Sequence, residues 1–414
     1  MFKNYIKIAF RNLLKNKFYA ILNLMGLALG ITATLFILIY IQDELSYDRF
    51  HPEADQMYVV GIDAIIGKQV INGIFAPPPM AEGAKREIPG VNETSRNFQA
   101  PDLIMRYENV EYTQKNIVWA DSNFYDFFGF KLLKGDPSTA LTGPNKMVLT
   151  QSVAKKYFGT QPVLGKTLIV GNNGASYEVT GVAADPPHNS HFTSEVLISY
   201  DSSPYAQSEN WISNNINTYF KINKQSDPKA VTQKLNQLAE KSAGPVFKEY
   251  IGMSFSTLRE KGGKFGYFLM PVTDLHLHAS DLRTSFQNIS NISYVYIFGG
   301  IGILLILLAC VNFMNLSTAG ATARAREVGV RKTMGSDRIS MITQFLVESL
   351  FYVVIAVIIS LQGVNLLLPW FNDLSGKALT LQIFSQWWFI ASISGLTFVI
   401  SLIAGSYPAF YLTS

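Results

Sequence analysis

The chain has 414 residues, enough for two or three domains, and its net charge of +4 gives no case for nucleic-acid binding. The only cysteine is Cys310, which excludes an intrachain disulfide. The apolar fraction of 48% is ordinary for a soluble protein, but it averages two kinds of sequence. The first 43 residues and the C-terminal third are strongly apolar, whereas the middle is polar and rich in proline and asparagine.

The N-terminus predicts a surface helix followed by a membrane span. Residues 1–18 carry five basic residues, no acid and apolar residues at helical spacing, which predicts a cytoplasmic amphipathic helix on anionic membrane lipids. Residues 19–41 contain no charge and would extend about 35 Å as a helix, so we predict the first transmembrane helix there. A cleaved signal peptide is the competing interpretation, but the run is too long and lacks a small-residue cleavage site.

Gly26 and Gly30 form a GxxxG pair on this first helix and are candidates for close helix packing. Chance occurrence in a membrane helix is an equally good explanation of the pair.

Residues 42–291 contain no further spanning run and predict a bilobed α+β domain inserted between the first and second transmembrane helices. Strands are expected at 56–63, 68–74 and 268–277, and a helix at 227–242 with Pro228 in its first turn. We expect a lobe at about 130–215 to be inserted into the other lobe.

Three apolar runs follow, at 294–316, 345–367 and 388–411, and they complete a prediction of four transmembrane helices. The segment 320–342 includes five basic residues between 324 and 338, which places it in the cytoplasm and the domain at 42–291 outside. Both termini are then cytoplasmic, and 368–387 is a short periplasmic loop. The chain stops at the membrane edge after the fourth span, which suggests a piece of a longer protein.

Several motifs within this order resemble those of the MacB/FtsX-type permeases of ABC systems, in the style of Bacteroidetes members. They are LSYDRFH at 45–51, PHNSHF at 187–192, REVGVRK at 326–332 with Gly335, QFLVES at 344–349 and SYPA at 406–409. The resemblance covers the whole chain and implies a multi-pass protein of the bacterial inner membrane with a MacB-like periplasmic core domain.

The resemblance also implies partners. It implies a separate cytoplasmic ABC ATPase and a second permease half, either a second copy or a fused unit, because many relatives carry two halves in one chain. A periplasmic adaptor and an outer-membrane channel would serve export of a lipophilic, peptide or lipoprotein substrate. The implied mechanism is mechanotransmission, in which work is delivered on the far side of the membrane. No cofactor is expected.

The candidate ATPase-coupling residues lie in the basic cytoplasmic loop: Arg326, Glu327, Val328, Gly329, Arg331, Lys332 and Gly335. Glu327 and Arg331 are spaced to pair along one helix face or to offer opposite charges to a partner. Membrane topology alone is the simpler explanation of the basic residues. Glu348, the one charge in the third span, is an intramembrane candidate with a structural or a coupling role.

Other site types are disfavoured. The sequence Gly165-Lys166-Thr167 is not a phosphate loop because position 160 is Thr, so ATP hydrolysis is assigned to a partner subunit. His188 and His191 near Asp185 suit a turn better than a metal site. A metal set among Asp274, His276, His278 and Asp281 is likewise less favoured than a solvated strand face. No catalytic motif is present.

Two other functions remain open. The first is an FtsX-like regulator whose external domain activates a periplasmic cell-wall hydrolase without transport. The second is a membrane sensor that has no ATPase.

Overall fold

The computed structural model describes residues 7, 10–11, 17–321 and 338–413. The chain forms two compact units. The helical unit comprises Met1–Leu45 and Ser293–Ser414, and the α/β unit comprises Ser46–Ile292. The predicted N-terminal surface helix lies mostly outside the described residues, as does the predicted coupling loop with Arg326, Glu327, Val328, Gly329, Arg331, Lys332 and Gly335.

Within the described residues the α-helices are α1 Lys17–Leu45, α2 Met80–Glu87, α3 Phe124–Phe128, α4 Gln151–Phe158, α5 Pro228–Ile251, α6 Phe255–Glu260, α7 Val272–His278, α8 Ile292–Ala321, α9 Arg338–Ser375 and α10 Trp387–Thr413. The strands are β1 Met57–Ile66, β2 Gln69–Gly73, β3 Val91–Gln99, β4 Leu103–Tyr107, β5 Val110–Gln114, β6 Ile117–Ala120, β7 Leu132–Lys134, β8 Lys146–Thr150, β9 Thr167–Val170, β10 Ala175–Ala183, β11 Val196–Ser199, β12 Asn217–Ile222 and β13 Lys264–Pro271.

Four helices, α1, α8, α9 and α10, are long and apolar enough to cross a membrane. Their large apolar side chains are widely exposed along the helices, as expected for surfaces that face lipid rather than water. Helix α9 continues through Pro369 to Ser375, so the first part of the segment predicted as a loop is helical. Proline is tolerated there because neighbouring groups in a helix bundle can satisfy the freed backbone carbonyl.

The α/β unit contains one sheet of 13 strands in the order β13-β1-β12-β3-β6-β11-β8-β10-β9-β4-β5, with β2 beside β1 and β7 beside β10. The predicted strands at 56–63 and 68–74 are confirmed as β1 and β2. The predicted strand at 268–277 is wrong beyond Pro271, where β13 ends and helix α7 begins. Pro271 has no N–H with which to extend the ladder.

The predicted lobes meet within this sheet. Strand β4 pairs with β9, and β6 pairs with β11, so strands from before residue 130 hydrogen-bond to strands within the predicted insertion. One hydrophobic cluster packs against the β8–β10 end and another against the β1–β12 end. The boundaries at 130 and 215 stay a prediction.

A third hydrophobic cluster joins these two ends and is rich in aromatic rings. Helix α3 is a short FYDFF turn that Gly129 ends in the left-handed conformation, at φ 71°. The ring of Phe128 lies 4.7 Å from that of Phe192 and 5.0 Å from that of Tyr219, measured between centroids. Edge-on contacts of this kind stabilise a core beyond the burial of area.

We expect Phe128→Ala to lower the free energy of unfolding by about 3–5 kcal/mol, because it leaves a cavity among rings that are fully buried. Urea denaturation of the purified chain in detergent, followed by near-ultraviolet circular dichroism, measures the change. Tyr250→Ala is the matched control, since Tyr250 is 72% exposed and its loss should change the free energy by less than about 0.5 kcal/mol. Equal effects of the two substitutions would contradict the assignment of this core.

Candidate functional site

The first and second apolar helices approach each other closely at Gly26 and Gly30. A Cβ atom added to Gly30 would lie 2.7 Å from the Cβ of Ala309 on α8. At Gly26 the added atom would lie 2.6 Å from Nδ2 of Asn312. Both glycines therefore face α8, as expected for small residues at a close helix contact.

Hydroxyl groups connect the apolar helices. Ser360 Oγ on α9 lies 2.9 Å from the carbonyl oxygen of Ala28 on α1, and Thr34 Oγ1 on α1 lies 3.4 Å from that of Gly302 on α8. Each hydroxyl shares its hydrogen with a nearer carbonyl oxygen of its own helix, at 2.7 Å for Ser360 and 2.9 Å for Thr34. Since there is no water to compete inside a bilayer, such hydrogen bonds contribute to helix association.

Glu348 lies on α9 and is 9% exposed. The adjacent Ser349 donates to the carbonyl oxygen of Phe345 at 3.0 Å, and a Cβ atom on Gly405 of α10 would come within 2.7 Å of its hydroxyl. Glu348 therefore lies on α9 beside a tight contact between α9 and α10. Whether its role is structural or coupling stays a prediction.

A cluster of buried charges lies at one end of the helical unit. Lys377, in the segment between α9 and α10, contacts the carboxylates of both Asp43 and Glu44 at the end of α1. The Nζ–Oδ2 distance to Asp43 is 2.8 Å, and the side chains are 13%, 6% and 2% exposed for Lys377, Asp43 and Glu44. This cluster was not predicted from the sequence, which shows only that charged residues are rare near Lys377.

The α/β unit begins and ends at a second polar cluster, here called the junction cluster and defined as residues 46–51, residues 187–192, His276 and Asn288. The backbone N–H of Asp48 donates to the carbonyl oxygen of Asn189 at 2.9 Å, and Asn189 Nδ2 donates to Ser46 Oγ at 3.0 Å. These bonds connect the two sequence motifs at 45–51 and 187–192, which are far apart in the chain.

The segment that leaves the α/β unit joins the same cluster. Asn288 Nδ2 donates to the carbonyl oxygen of Ser190 at 2.9 Å. His276 Nδ1 lies 2.8 Å from the carbonyl oxygen of Asn288, and the His276 ring stacks on Tyr47 with centroids 3.4 Å apart and planes 4° from parallel. The junction cluster therefore fastens the first and last residues of the α/β unit to one loop.

Three fully buried side chains form the centre of the junction cluster. Nδ1 of His191 lies 2.8 Å and Nε2 of His51 lies 3.6 Å from Oδ1 of Asp48. The backbone N–H of His191 donates to the same oxygen at 3.0 Å. Burial raises the pKa of a carboxyl group, but at Asp48 the neighbouring His191, through its ring and its backbone N–H, outweighs burial and holds the pKa well below its usual range.

The histidines and acids that the sequence analysis grouped as possible metal ligands lie in different environments in the structure. Asp185 accepts from Ser152 Oγ at 2.8 Å beside the start of α4, and His188 lines an open cleft of about 440 Å³, whereas His191 is buried with Asp48 and His51. The predicted strand face at 274–278 is wrong, because Asp274, His276 and His278 are on helix α7. Sequence reasoning missed the roles of Asp48 and His51, although their motif was recognised.

Four helices that are long and apolar enough to cross a membrane, with a mixed α/β domain between the first and the second, are the architecture of an integral membrane protein. A family model described as the MacB-like periplasmic core domain matches residues 20–238, and one described as the FtsX-like permease C-terminal region matches residues 299–414. The first match alone covers more than half of the chain, and the chain belongs to this family of MacB/FtsX-type ABC transporter permeases.

The relatives include an uncharacterized ABC transporter permease, YvrN of Bacillus subtilis, at 22% identity over 83% of this chain and 82% of that protein. The macrolide export ATP-binding/permease protein MacB of Aggregatibacter actinomycetemcomitans is 28% identical over 58% of this chain, but the match spans only 33% of MacB. A solved domain of a putative permease from Porphyromonas gingivalis matches with TM-score 0.44 and 23% identity, over 53% of this chain and 91% of that domain.

Replacing Lys377 by Met should destabilise the helical unit by about 3–5 kcal/mol, because it removes a cation that contacts two buried carboxylates. Thermal unfolding in detergent micelles measures the effect. Lys377→Arg should retain most of the stability. Lys241→Met, which breaks the exposed pair with Glu87, should cost no more than about 1 kcal/mol. Equal stability of Lys377→Met and Lys241→Met would contradict the role of Lys377 as a cation that compensates the buried carboxylates of Asp43 and Glu44.

Gly30→Ala should lower stability by about 1–3 kcal/mol, because the new methyl group meets Ala309 at well below contact distance. Gly300→Ala on α8 is the control, since an added Cβ has nothing within 4 Å there. Both substitutions restrict the backbone equally, so the difference between their midpoint temperatures of unfolding isolates the helix contact. No difference would mean that Gly30 is not at a close interface.

Proposed function

We propose that this chain couples ATP hydrolysis by a separate cytoplasmic ABC ATPase to conformational change of its periplasmic α/β unit. The chain lies in the bacterial inner membrane with both termini in the cytoplasm. Substrate need not cross between the helices in this mechanism, because work is delivered to the α/β unit on the far side. The cargo class we favour is a lipophilic compound, a peptide or a lipoprotein.

The observation that carries this proposal is the junction cluster. Both connections of the α/β unit to the helical unit begin within or close to it: Ser46 follows α1, and Asn288 shortly precedes α8. Hydrogen bonds from Asn189 and Asn288 join these two connections to the loop at 187–192. A relative displacement of α1 and α8 must strain or rearrange these bonds, which supports a mechanical link between helices and domain.

In this proposal the ATPase acts on the helices through the basic loop at 324–338, between α8 and α9. Its proposed docking residues are Arg326, Glu327, Val328, Gly329, Arg331, Lys332 and Gly335. The four apolar helices also favour mechanical coupling over a hydrophilic pathway, since Glu348 is the one charge within the predicted third span. ATP hydrolysis belongs to the partner in this scheme.

The other proposed partners are a second permease half and, for export, a periplasmic adaptor and an outer-membrane channel. MacB carries ATP-binding and permease parts under one name, whereas this chain matches a third of its length, so the ATPase would be a different polypeptide or a further segment. The alternative function is activation of a periplasmic cell-wall hydrolase by the α/β unit. It uses the same coupling and differs only in what the moving domain acts on.

We expect Glu327→Arg and Arg331→Glu each to reduce stimulated ATPase activity of the reconstituted complex by about tenfold or more, because an interfacial charge loses its partner. Thr333→Ala, in the same loop, is the control. The double charge swap separates two explanations. If the two residues pair only with each other, the swap restores activity, and if they bind the ATPase, activity stays low. Full activity of both single variants, with normal membrane insertion, would remove the loop from the mechanism.

Export and hydrolase regulation are distinguished by phenotype. Deletion of the gene should reduce efflux of lipophilic or peptide compounds and leave cell separation normal if the chain is an exporter. Chaining or altered lysis with unchanged efflux would instead support the regulator. Failure of a cytoplasmic ATPase to co-purify with the intact protein under mild conditions would refute both functions and favour a sensor.

A further inference from the structure

We propose that Asp48, His51 and His191 form a binding site for a divalent transition-metal ion, with Zn²⁺ the best match to the donor set. The three side chains come from two loops at the base of the α/β unit, and their donor atoms all lie within 4.8 Å of one another. The side chains of all three are completely buried. This site is separate from the proposed coupling loop and does not depend on the assignment of an ATPase.

The first argument concerns the protonation of His51. Its Nδ1 lies 2.7 Å from the carbonyl oxygen of Phe128, and a carbonyl oxygen can only accept, so Nδ1 carries the hydrogen. In the neutral ring Nε2 then presents a lone pair, and that lone pair faces the Asp48 carboxylate oxygen at 3.6 Å. A cation bound between these two electron-rich atoms would compensate both of them in this buried site.

The second argument concerns the unused donor atoms. Among the described residues, Asp48 Oδ2, His51 Nε2 and His191 Nδ1 are buried and have no hydrogen-bond partner. Nδ1 of His191 comes within 2.8 Å of Asp48 Oδ1, but that approach does not meet hydrogen-bond geometry. Both nitrogens lie beside the Asp48 carboxylate, whereas polar atoms this deeply buried are normally hydrogen-bonded.

The third argument concerns the outer nitrogen atoms. Nδ1 of His51 is held by the Phe128 carbonyl, and Nε2 of His191 lies 3.0 Å from the hydroxyl of Tyr219. Histidines that bind metal ions hold the other ring nitrogen to a carbonyl, carboxylate or hydroxyl in this way, which fixes the tautomer and the ring plane. Ser190 Oγ and the backbone N–H of His191 orient the carboxylate oxygen Oδ1 of Asp48.

The chemical types of the three side chains determine which metal ion the site would prefer. Two imidazole nitrogens and a carboxylate are the ligands of many three-residue zinc sites, and Asp48 Oδ2 is available as a fourth donor. Zinc–ligand bonds of about 2.1 Å place tetrahedral donors about 3.4 Å apart. The separations of Asp48 Oδ1 from the two nitrogens, 2.8 and 3.6 Å, lie on either side of that value. Mg²⁺ and Ca²⁺ prefer all-oxygen sites of six or more ligands and do not match.

The test uses the full chain, purified in detergent without a histidine tag, dialysed against Zn²⁺ and then against metal-free buffer. Mass spectrometry of the metal content should find one zinc per chain. His51→Ala and His191→Ala should each lose it, whereas His188→Ala and His278→Ala should retain it. Asp48→Asn is a second variant that keeps the size of the side chain, so that loss of zinc can be separated from loss of folding by circular dichroism.

Co²⁺ gives an independent readout. Bound in place of zinc, it should show the visible absorption of a four-coordinate site in the natural protein and in His188→Ala, and not in His51→Ala. The competing structure is an imidazolium–carboxylate pair with no metal. Zinc below a tenth of an equivalent in the folded natural protein, or equal zinc in His51→Ala, would establish that pair and overturn the site.

Discussion

The burial of a single carboxylate, that of Asp48, imposes the constraint on which the base of the α/β unit depends. Its side chain is completely inaccessible, and its backbone adopts the left-handed conformation with φ 57°. Removing a carboxylate from water costs several kcal/mol unless donors or a cation compensate it. The donors are supplied by the Ser190 hydroxyl and the backbone N–H of His191, so the loop at 187–192 must return to residues 46–51 for the carboxylate to be buried.

This polar centre is continuous with the aromatic core. His51 contacts the Phe128 carbonyl and His191 contacts the Tyr219 hydroxyl, so the outer side of each imidazole is held by a residue of the aromatic cluster. Tyr219 lies on β12, which pairs with both β1 and β3 in the middle of the sheet. A shift of the loop at 46–51 is therefore opposed by close-packed rings, which deform much less readily than a solvated loop.

Elements that depend on a local sequence pattern could be predicted, whereas contacts between residues far apart in the sequence could not. The apolar runs that became α1, α8, α9 and α10 are visible because a membrane span needs a continuous apolar stretch. Strands β1 and β2 pair with each other and are adjacent in the sequence, so they too are local features. The approach of Asp48 to His191, 143 positions later, leaves no periodic signal. The alternation DLHLH at 274–278 fits a strand as well as a single helical turn, and Pro271 decides between them.

The two clusters of buried charge lie close together in the sequence. Asp43 and Glu44 are held by Lys377, and Asp48 is held by His191, with only residues 45–47 between Glu44 and Asp48. The segment 43–51 contains neither glycine nor proline, unlike a flexible linker. Buried charges have few alternative partners in a medium of low dielectric constant, so each cluster resists local rearrangement. Since α1 ends at Leu45 and the junction cluster begins at residue 46, a shift at the end of α1 would have almost no intervening chain in which to be absorbed.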